Sequence, residues 1–412
     1  MQAGGHEFES RYLHYSSLAQ SVEHSAVNRV VVGSSPTGGA KDFRRQMSAD
    51  FFCFWGKYSG ILRKQKCSRF IKRITIMKKK ILIINTGGTL SSVNSEKGMV
   101  PGMRSGDMLE ELRLVSKNLE LETEDFCSVD SANIFPEDWA KLAKRIGERS
   151  KEYQGILVIH GTDTLAYTSS MLAFMLQNIS IPVVVTGSQL SIAHPVADAL
   201  ENCRCGIHMA ASGCPGVFVA FNRKVMLGCR ASKVRTMSFN AFESINYPYV
   251  GEISSLGLRI RKENLIEKRG IFRPQTAYSD KVFLLKLYPG INPDILEYLF
   301  EQGYRGVYIE GFGLGGMPFL QNDFIGAVRK VVEKGMVVLA GSQCRYEGSN
   351  LSVYETGQLA LESGVLQAYD MTAEAAMTKL MWVLGQTEDL REIKEYFSVD
   401  IAGEVTIGQG EF

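Results

Sequence analysis

Lys78-Lys79-Lys80-Ile81-Leu82-Ile83-Ile84-Asn85-Thr86-Gly87-Gly88-Thr89 is the stretch that decides the fold. A charged lead-in meets a short run of β-branched and aliphatic residues with no polar alternation, and the run ends on paired glycines between threonines. A strand buried on both faces reads this way, as in a parallel sheet covered by helices. The same pattern recurs at Ile156–Ile159, Pro182–Val185, Val217–Phe221, Val282–Leu287, Val307–Ile309 and Met336–Leu339. Between these runs lie helical stripes. Leu165, Leu172, Met175 and Leu176 share one face. Phe324, Ile325, Val328, Val331 and Val332 share another, with Gly335 as the stop. Met377, Leu380, Met381 and Leu384 form a third, for which Asp370 is the expected cap and Gly385 the expected end. Strands alternating with helices predict an α/β fold. Residues 253–280 are crowded with charge and poor in periodicity, so they read as a connection between a larger first domain and a smaller second one.

In parallel α/β sheets, ligands bind beyond the carboxyl ends of the strands. Two hydroxyl-rich motifs fall there: Thr86-Gly87-Gly88-Thr89 after the first strand, and His160-Gly161-Thr162-Asp163-Thr164 after the second. Glycines let the backbone approach a ligand and turn its N–H groups inward. A threonine beside such groups has the two requirements of acyl transfer, a hydroxyl nucleophile and donors for an oxyanion, but it needs a base or proton relay. Read alone, these residues are also ordinary turns and helix caps, and the pattern does not choose between Thr86 and Thr89. His160, at the end of a buried strand, reads as a satisfied core histidine. His194 and His208 lack ligand spacing, and there is no zinc pattern. Gly311-Phe-Gly-Leu-Gly-Gly316 does not open a dinucleotide-binding unit. No P-loop is present, and no cofactor is expected.

Composition bounds the partners. The 412 residues are 45% hydrophobic and 22% charged, ordinary for a globular protein. No stretch reaches the roughly 20 apolar residues of a membrane helix, and the start does not read as a signal peptide. The eight cysteines have no framework spacing; Cys203 and Cys205 are the one close pair, and reduced thiols in a cytoplasmic protein are expected. Residues 1–76 carry 12 Lys+Arg against 5 Asp+Glu, leaving a mildly acidic body with no phosphate-binding surface.

The residue pattern as a whole resembles the L-asparaginase family, cytoplasmic type I branch. The two threonine motifs are similar to that family's two signatures. Val129-Asp130-Ser131 followed by Pro136-Glu137-Asp138-Trp139 resembles its substrate-binding segment. Gly228-Cys-Arg-Ala-Ser-Lys233 resembles the segment supplying its essential lysine, and Asp370–Gly385 resembles its C-terminal helix. The resemblance runs in order through 77–412. It implies an asparaginase/glutaminase fold, with a larger N-terminal α/β domain (77–255, mostly parallel sheet), a linker (256–280) and a smaller C-terminal α/β domain (281–412). It implies hydrolysis of L-asparagine through an acyl-enzyme on Thr89, with a Thr162–Asp163–Lys233 relay. Asp130, Ser131, Gly88 and Gly161 would meet the substrate, and Asp198 with Asn202 would support the site or cap their helix. It further implies a homodimer or homotetramer without metal, nucleic acid or membrane. Two departures stand out. Met99 occupies a loop position where members often carry tyrosine, and Gly315-Gly316 stands where some have a polar residue. Rival readings are an amidotransferase component, a glutaminase and an asparagine-sensing pseudoenzyme.

Before Lys78 the pattern fades. Ser17–Thr37 resembles translated tRNA-gene text, and Met77 directly precedes the first strand, so translation is expected to begin at Met77. The competing reading is a nucleic-acid-binding basic arm, whose basic residues lack aromatic interleaving. Intact-mass measurement of the native protein decides this: a chain starting at Met77 is expected, and an N-terminus well upstream contradicts it.

Overall fold

The computed structural model describes residues 78–406, apart from 96, 97, 102–104, 115 and 117. The extension 1–76 therefore lies outside the described residues. The chain runs β1 (Lys79–Gly87), β2 (Ser92–Ser95), β3 (Gly98–Pro101), α1 (Ser105–Leu114), β4 (Leu119–Val129), α2 (Pro136–Arg149), β5 (Gly155–Ile159), α3 (Leu165–Met175), β6 (Pro182–Thr186) and α4 (Ala199–Ala210). It continues through β7 (Gly216–Phe221), β8 (Lys224–Leu227), β9 (Ala231–Lys233), β10 (Phe242–Ser244), β11 (Gly251–Ser254), β12 (Gly257–Ile260) and β13 (Val282–Lys286). The last elements are α5 (Asp294–Glu301), β14 (Gly306–Gly311), α6 (Phe324–Glu333), β15 (Val337–Ser342), α7 (Glu355–Glu362), β16 (Leu366–Gln367), α8 (Ala373–Gln386) and α9 (Leu390–Phe397).

The first sheet has the order β12-β11-β8-β7-β6-β5-β1-β4. Strands β4, β1, β5, β6 and β7 are parallel, and the far edge is antiparallel. From β1 the chain crosses to β4 on one side and then returns to β5 on the other. The order thus reverses at β1, and a reversal of this kind opens a crevice at the carboxyl ends of the strands. The parallel strands β13-β14-β15-β16 form the second sheet. The two-sheet α/β architecture agrees with the sequence expectation. β12, which falls in the stretch read as a connection, instead pairs antiparallel with β11 at the edge of the first sheet.

Local chemistry explains the elements. β5 and β6 are buried throughout, as continuous apolar runs require. Pro136 opens α2, the Phe135 N–H donates to Asp138 Oδ2 at 2.9 Å, and the helix buries Trp139, Leu142, Ala143 and Ile146 on one face. Gly335, at φ +94°, follows α6 as its stop. The end assignments for α8 need correction. Thr372, not Asp370, is its cap, accepting from the Ala375 N–H at 3.0 Å. Asp370 is drawn away by the buried Arg230, whose Nη1 donates to Asp370 Oδ2 at 3.0 Å. Gly385 lies inside the helix, where a β-carbon would fall 2.3 Å from Tyr278 Cα; close packing, not helix termination, calls for glycine there. The tail is fastened by Arg230 Nε donating to the Gly403 carbonyl at 2.6 Å, and by the fully buried pair Lys379–Glu404 at 2.5 Å.

His160 is a satisfied core residue, as expected. The Gly161 carbonyl, 2.7 Å from Nδ1, can only accept, so the proton sits on Nδ1. Nε2 then accepts from Thr168 Oγ1 at 2.9 Å, and that hydroxyl accepts from Trp139 Nε1 at 2.8 Å. Burial depresses the imidazole from 6.5 to about 4. Between those values the unfolded chain takes a proton that the folded protein refuses, so stability present above pH 6.5 is lost as the pH falls through the window. The loss approaches about 3 kcal/mol. Asp400, pushed up to about 6 by burial, acts in the opposite direction, so comparison with a variant isolates His160. Denaturant unfolding at pH 7 and pH 4.5 is expected to show a smaller loss in His160→Gln than in wild type. An equal loss contradicts the assignment.

Candidate active site

The carboxyl ends of β4, β1 and β5 meet almost backbone to backbone. At the end of β1 the register against β4 shifts between Asn85 and Gly87. Gly87 and Gly88 then take φ +101° and +84°, a region side chains rarely adopt. A β-carbon on Gly87 would fall 2.5 Å from the Val129 carbonyl oxygen, and one on Gly88 2.4 Å from Gly161 Cα. One on Gly161 would fall 2.6 Å from Ser131 Oγ. The two threonine motifs and the Val129-Asp130-Ser131 segment therefore form one contiguous surface. The Gly88 N–H donates to the Val129 carbonyl at 3.2 Å. Gly88 thus contributes close approach and not the inward-turned donor expected from the sequence.

The geometry separates the two threonines that the pattern left open. Thr86 is buried, and its Oγ1 donates to the Ile159 carbonyl at 2.9 Å, tying β1 to β5. Thr89 starts a single 3-10 turn, Thr89–Ser91, at the partly exposed floor of the crevice. Its hydroxyl makes no hydrogen bond among the described residues. The side chain of Met99, on β3, lies outside the described residues.

Across the Gly88–Gly161 contact lies a charged cluster. Lys233 Nζ donates to Thr162 Oγ1 at 2.8 Å and to Asp163 Oδ1 at 2.6 Å. The lysine side chain is 18% exposed against 65% for Asp163, so Lys233 is not the solvated surface charge that spacing alone would suggest. Thr162 is buried and donates onward to Gln189 Oε1 at 3.4 Å. Gln189 carries no mark in the sequence that singles it out. Its Nε2 donates to the carbonyls of Thr236 and Ser238, and its own N–H donates to Asp198. Asp198 also accepts from Leu190 N and from Asn202 Nδ2 at 2.9 Å, so Asp198 and Asn202 brace the loop that carries Gln189.

Asp130 is exposed and accepts from the Ala132 N–H at 2.9 Å, which sets the short turn Ser131–Asn133. Ser131 is buried against Gly161, and its carbonyl accepts from Thr164 Oγ1 at 2.8 Å. All the residues singled out from the sequence (Thr89, Thr162, Asp163, Lys233, Asp130, Ser131, Gly88 and Gly161) thus lie on this surface or directly against it. The arrangement offers a hydroxyl without a hydrogen bond among the described residues, a threonine–lysine–carboxylate chain, and an acidic and a hydroxyl group on the adjoining Asp130–Ser131 segment. Among the described residues no group of three or more His, Cys, Asp or Glu could hold a metal. Cys203 and Cys205 are buried and unbridged, and burial pushes both thiols up to about 12.

Comparison with known proteins places the chain in a family. The model described as "Asparaginase, N-terminal" matches residues 80–265, and that described as "Glutaminase/Asparaginase C-terminal domain" matches residues 281–397. The L-asparaginase of Thermococcus kodakarensis is 40% identical over 329 residues, covering 79% of this chain and 99% of that protein. Its solved structure aligns with a TM-score of 0.75, covering 80% of this chain and 100% of that one. L-asparaginase I from Vibrio cholerae aligns at 28% identity with a TM-score of 0.73, over 80% of this chain and 100% of that one. A glutamyl-tRNA(Gln) amidotransferase component of Pyrococcus abyssi is 36% identical, over 79% of this chain and 76% of that protein. With both family domains matched in order, and with two glycine-packed threonine loops of which one holds a half-buried lysine, this chain belongs to the asparaginase family and is an amidohydrolase.

Proposed function

We propose that the chain hydrolyses L-asparagine to L-aspartate and ammonia through a threonine acyl-enzyme. Asp130 pairs with the substrate ammonium group, and Ser131 donates to its α-carboxylate. Thr89 Oγ attacks the side-chain amide carbon. Gly161 and Thr162 carry main-chain N–H groups that meet no acceptor among the described residues, and these take the developing oxyanion. The C–N bond breaks, and the nitrogen leaves as ammonia carrying the proton given up by Thr89. Water then attacks the ester carbonyl. Its proton passes toward Thr162, whose hydroxyl is held by Lys233, itself paired with Asp163, and aspartate leaves as Thr89 regains its hydrogen.

The observation that carries this reading is the Lys233 Nζ contact with both Thr162 and Asp163, together with a Thr89 hydroxyl that makes no hydrogen bond among the described residues. The similarity over 99% of the Thermococcus kodakarensis L-asparaginase supports asparagine as the substrate of a free-standing enzyme. The amidotransferase component of Pyrococcus abyssi is matched over only 76% of its length. A homodimer or homotetramer is what the family resemblance implies for the assembly. Among the described residues no helix is long and apolar enough to cross a membrane. A cytoplasmic setting is favoured by the unbridged thiols.

Ammonia release from asparagine by Thr89→Ala is expected to fall by roughly 1000-fold or more, while asparagine binding by calorimetry and the melting temperature stay close to wild type. An unchanged kcat sinks the nucleophile assignment. Absence of ammonia release by the wild-type protein sinks the activity itself.

A further inference from the structure

Lys233 sits on weak foundations. Strand β9 is three residues long and, among the described residues, pairs with the three residues of β10, with one further backbone bond at each end, Val234 N–H to the Ala241 carbonyl and Ile245 N–H to the Arg230 carbonyl. A two-stranded ribbon of this size is marginal on its own, yet it must hold an ammonium group at the end of a flexible four-carbon stem against both Thr162 and Asp163.

The second domain supplies the missing support. Arg345 lies in the loop after β15, and its Nη1 donates to the Lys233 carbonyl at 3.1 Å and to Ser232 Oγ at 3.0 Å. The buried Ser232 hydroxyl donates in turn to Glu374 Oε1, in the first turn of α8, at 2.7 Å. Burial holds the Glu374 carboxyl above its ordinary value. The loop carrying Arg345 is fixed at two further points, one on the ribbon and one just after it. The Tyr346 hydroxyl donates to Glu243 on β10, and the Glu347 N–H donates to Asn246 Oδ1 at 2.8 Å. Arg345 thus ties the backbone of the relay lysine, through Ser232, to a helix that packs along α3.

We propose that Arg345, with Ser232 and Glu374, is a positioning strut that fixes Lys233 for its part in the reaction. This rests on the proposed role of Lys233. Arg345 touches neither Thr162 nor Asp163 in the structure, so its influence runs through the lysine backbone. Removing it leaves the relay groups present but loosely placed, and small displacements of reacting groups are costly in rate.

The test compares steady-state kinetics on asparagine for Arg345→Met, Arg345→Lys and Lys233→Met, with melting temperatures to verify folding. Arg345→Met is expected to lower kcat by roughly 10-fold and to shift kcat and KM in the same pattern as Lys233→Met, to a smaller degree. Arg345→Lys, which keeps donors within reach, is expected to recover part of the loss. Ser232→Ala, which cuts the link to Glu374 and one Arg345 contact but keeps the Arg345 bond to the Lys233 carbonyl, is expected to reproduce part of the Arg345→Met pattern. Wild-type kcat in Arg345→Met, or a rise in KM alone, overturns the strut. Wild-type kcat in Lys233→Met overturns the relay reading instead, so the two failures are distinguishable.

Discussion

The site depends on one steric constraint: three strand ends meet so closely that only glycine fits at the points of contact. Gly87 lies against Val129, Gly88 against Gly161 and Gly161 against Ser131, each so closely that a β-carbon would overlap its neighbour. The contact works only because β1 is central and the strand order reverses there, which puts the ends of β4 and β5 on either side of it. The fold creates the crevice, and the glycines let its two threonine loops close to a single surface. A side chain at any of these three positions would separate the hydroxyl on one loop from the lysine-held hydroxyl on the other.

Charge is placed around that contact by distance in sequence, not by locality. Lys233 reaches Thr162 from 71 residues away, and Arg345 reaches Lys233 from 112 residues away. The buried Arg230 follows the same logic beneath the site, joining Asp370 and the tail at Gly403. A buried cation with one partner removed is strongly destabilising, so these links make the tail and α8 part of the scaffold beneath the ribbon that carries Lys233. The site is thus a local glycine junction held in a long-range polar frame.

Legibility in the sequence follows the same division. β1, β5, β6 and β7 are readable because central parallel strands leave continuous apolar runs. β4 is not, because as an edge strand its sequence, Leu119-Glu-Leu-Glu-Thr-Glu-Asp125, alternates and carries charge to solvent. The short, polar β9 and β10 leave no periodic mark at all. Asp370 misleads because a distant arginine outcompetes a local helix end, and no spacing rule reports that. Thr162 and Asp163 are visible as strand-end chemistry, whereas Lys233 is placed by family resemblance. Gln189, Arg345 and Glu374 escape sequence reading because each matters only through a partner remote in the chain. The structure also gives a physical reason for preferring Thr89 over Thr86: the Thr86 hydroxyl is already engaged by a β5 carbonyl.

The central claim is that this junction presents Thr89 as the group that carries the acyl intermediate. The most direct measurement is rapid acid quench of the protein with asparagine, followed by peptide mass mapping of the trapped ester. The account predicts an aspartyl ester on Thr89 and on no other residue. An ester on Thr86 or Thr162, or turnover with no covalent adduct under conditions that slow deacylation, would contradict it.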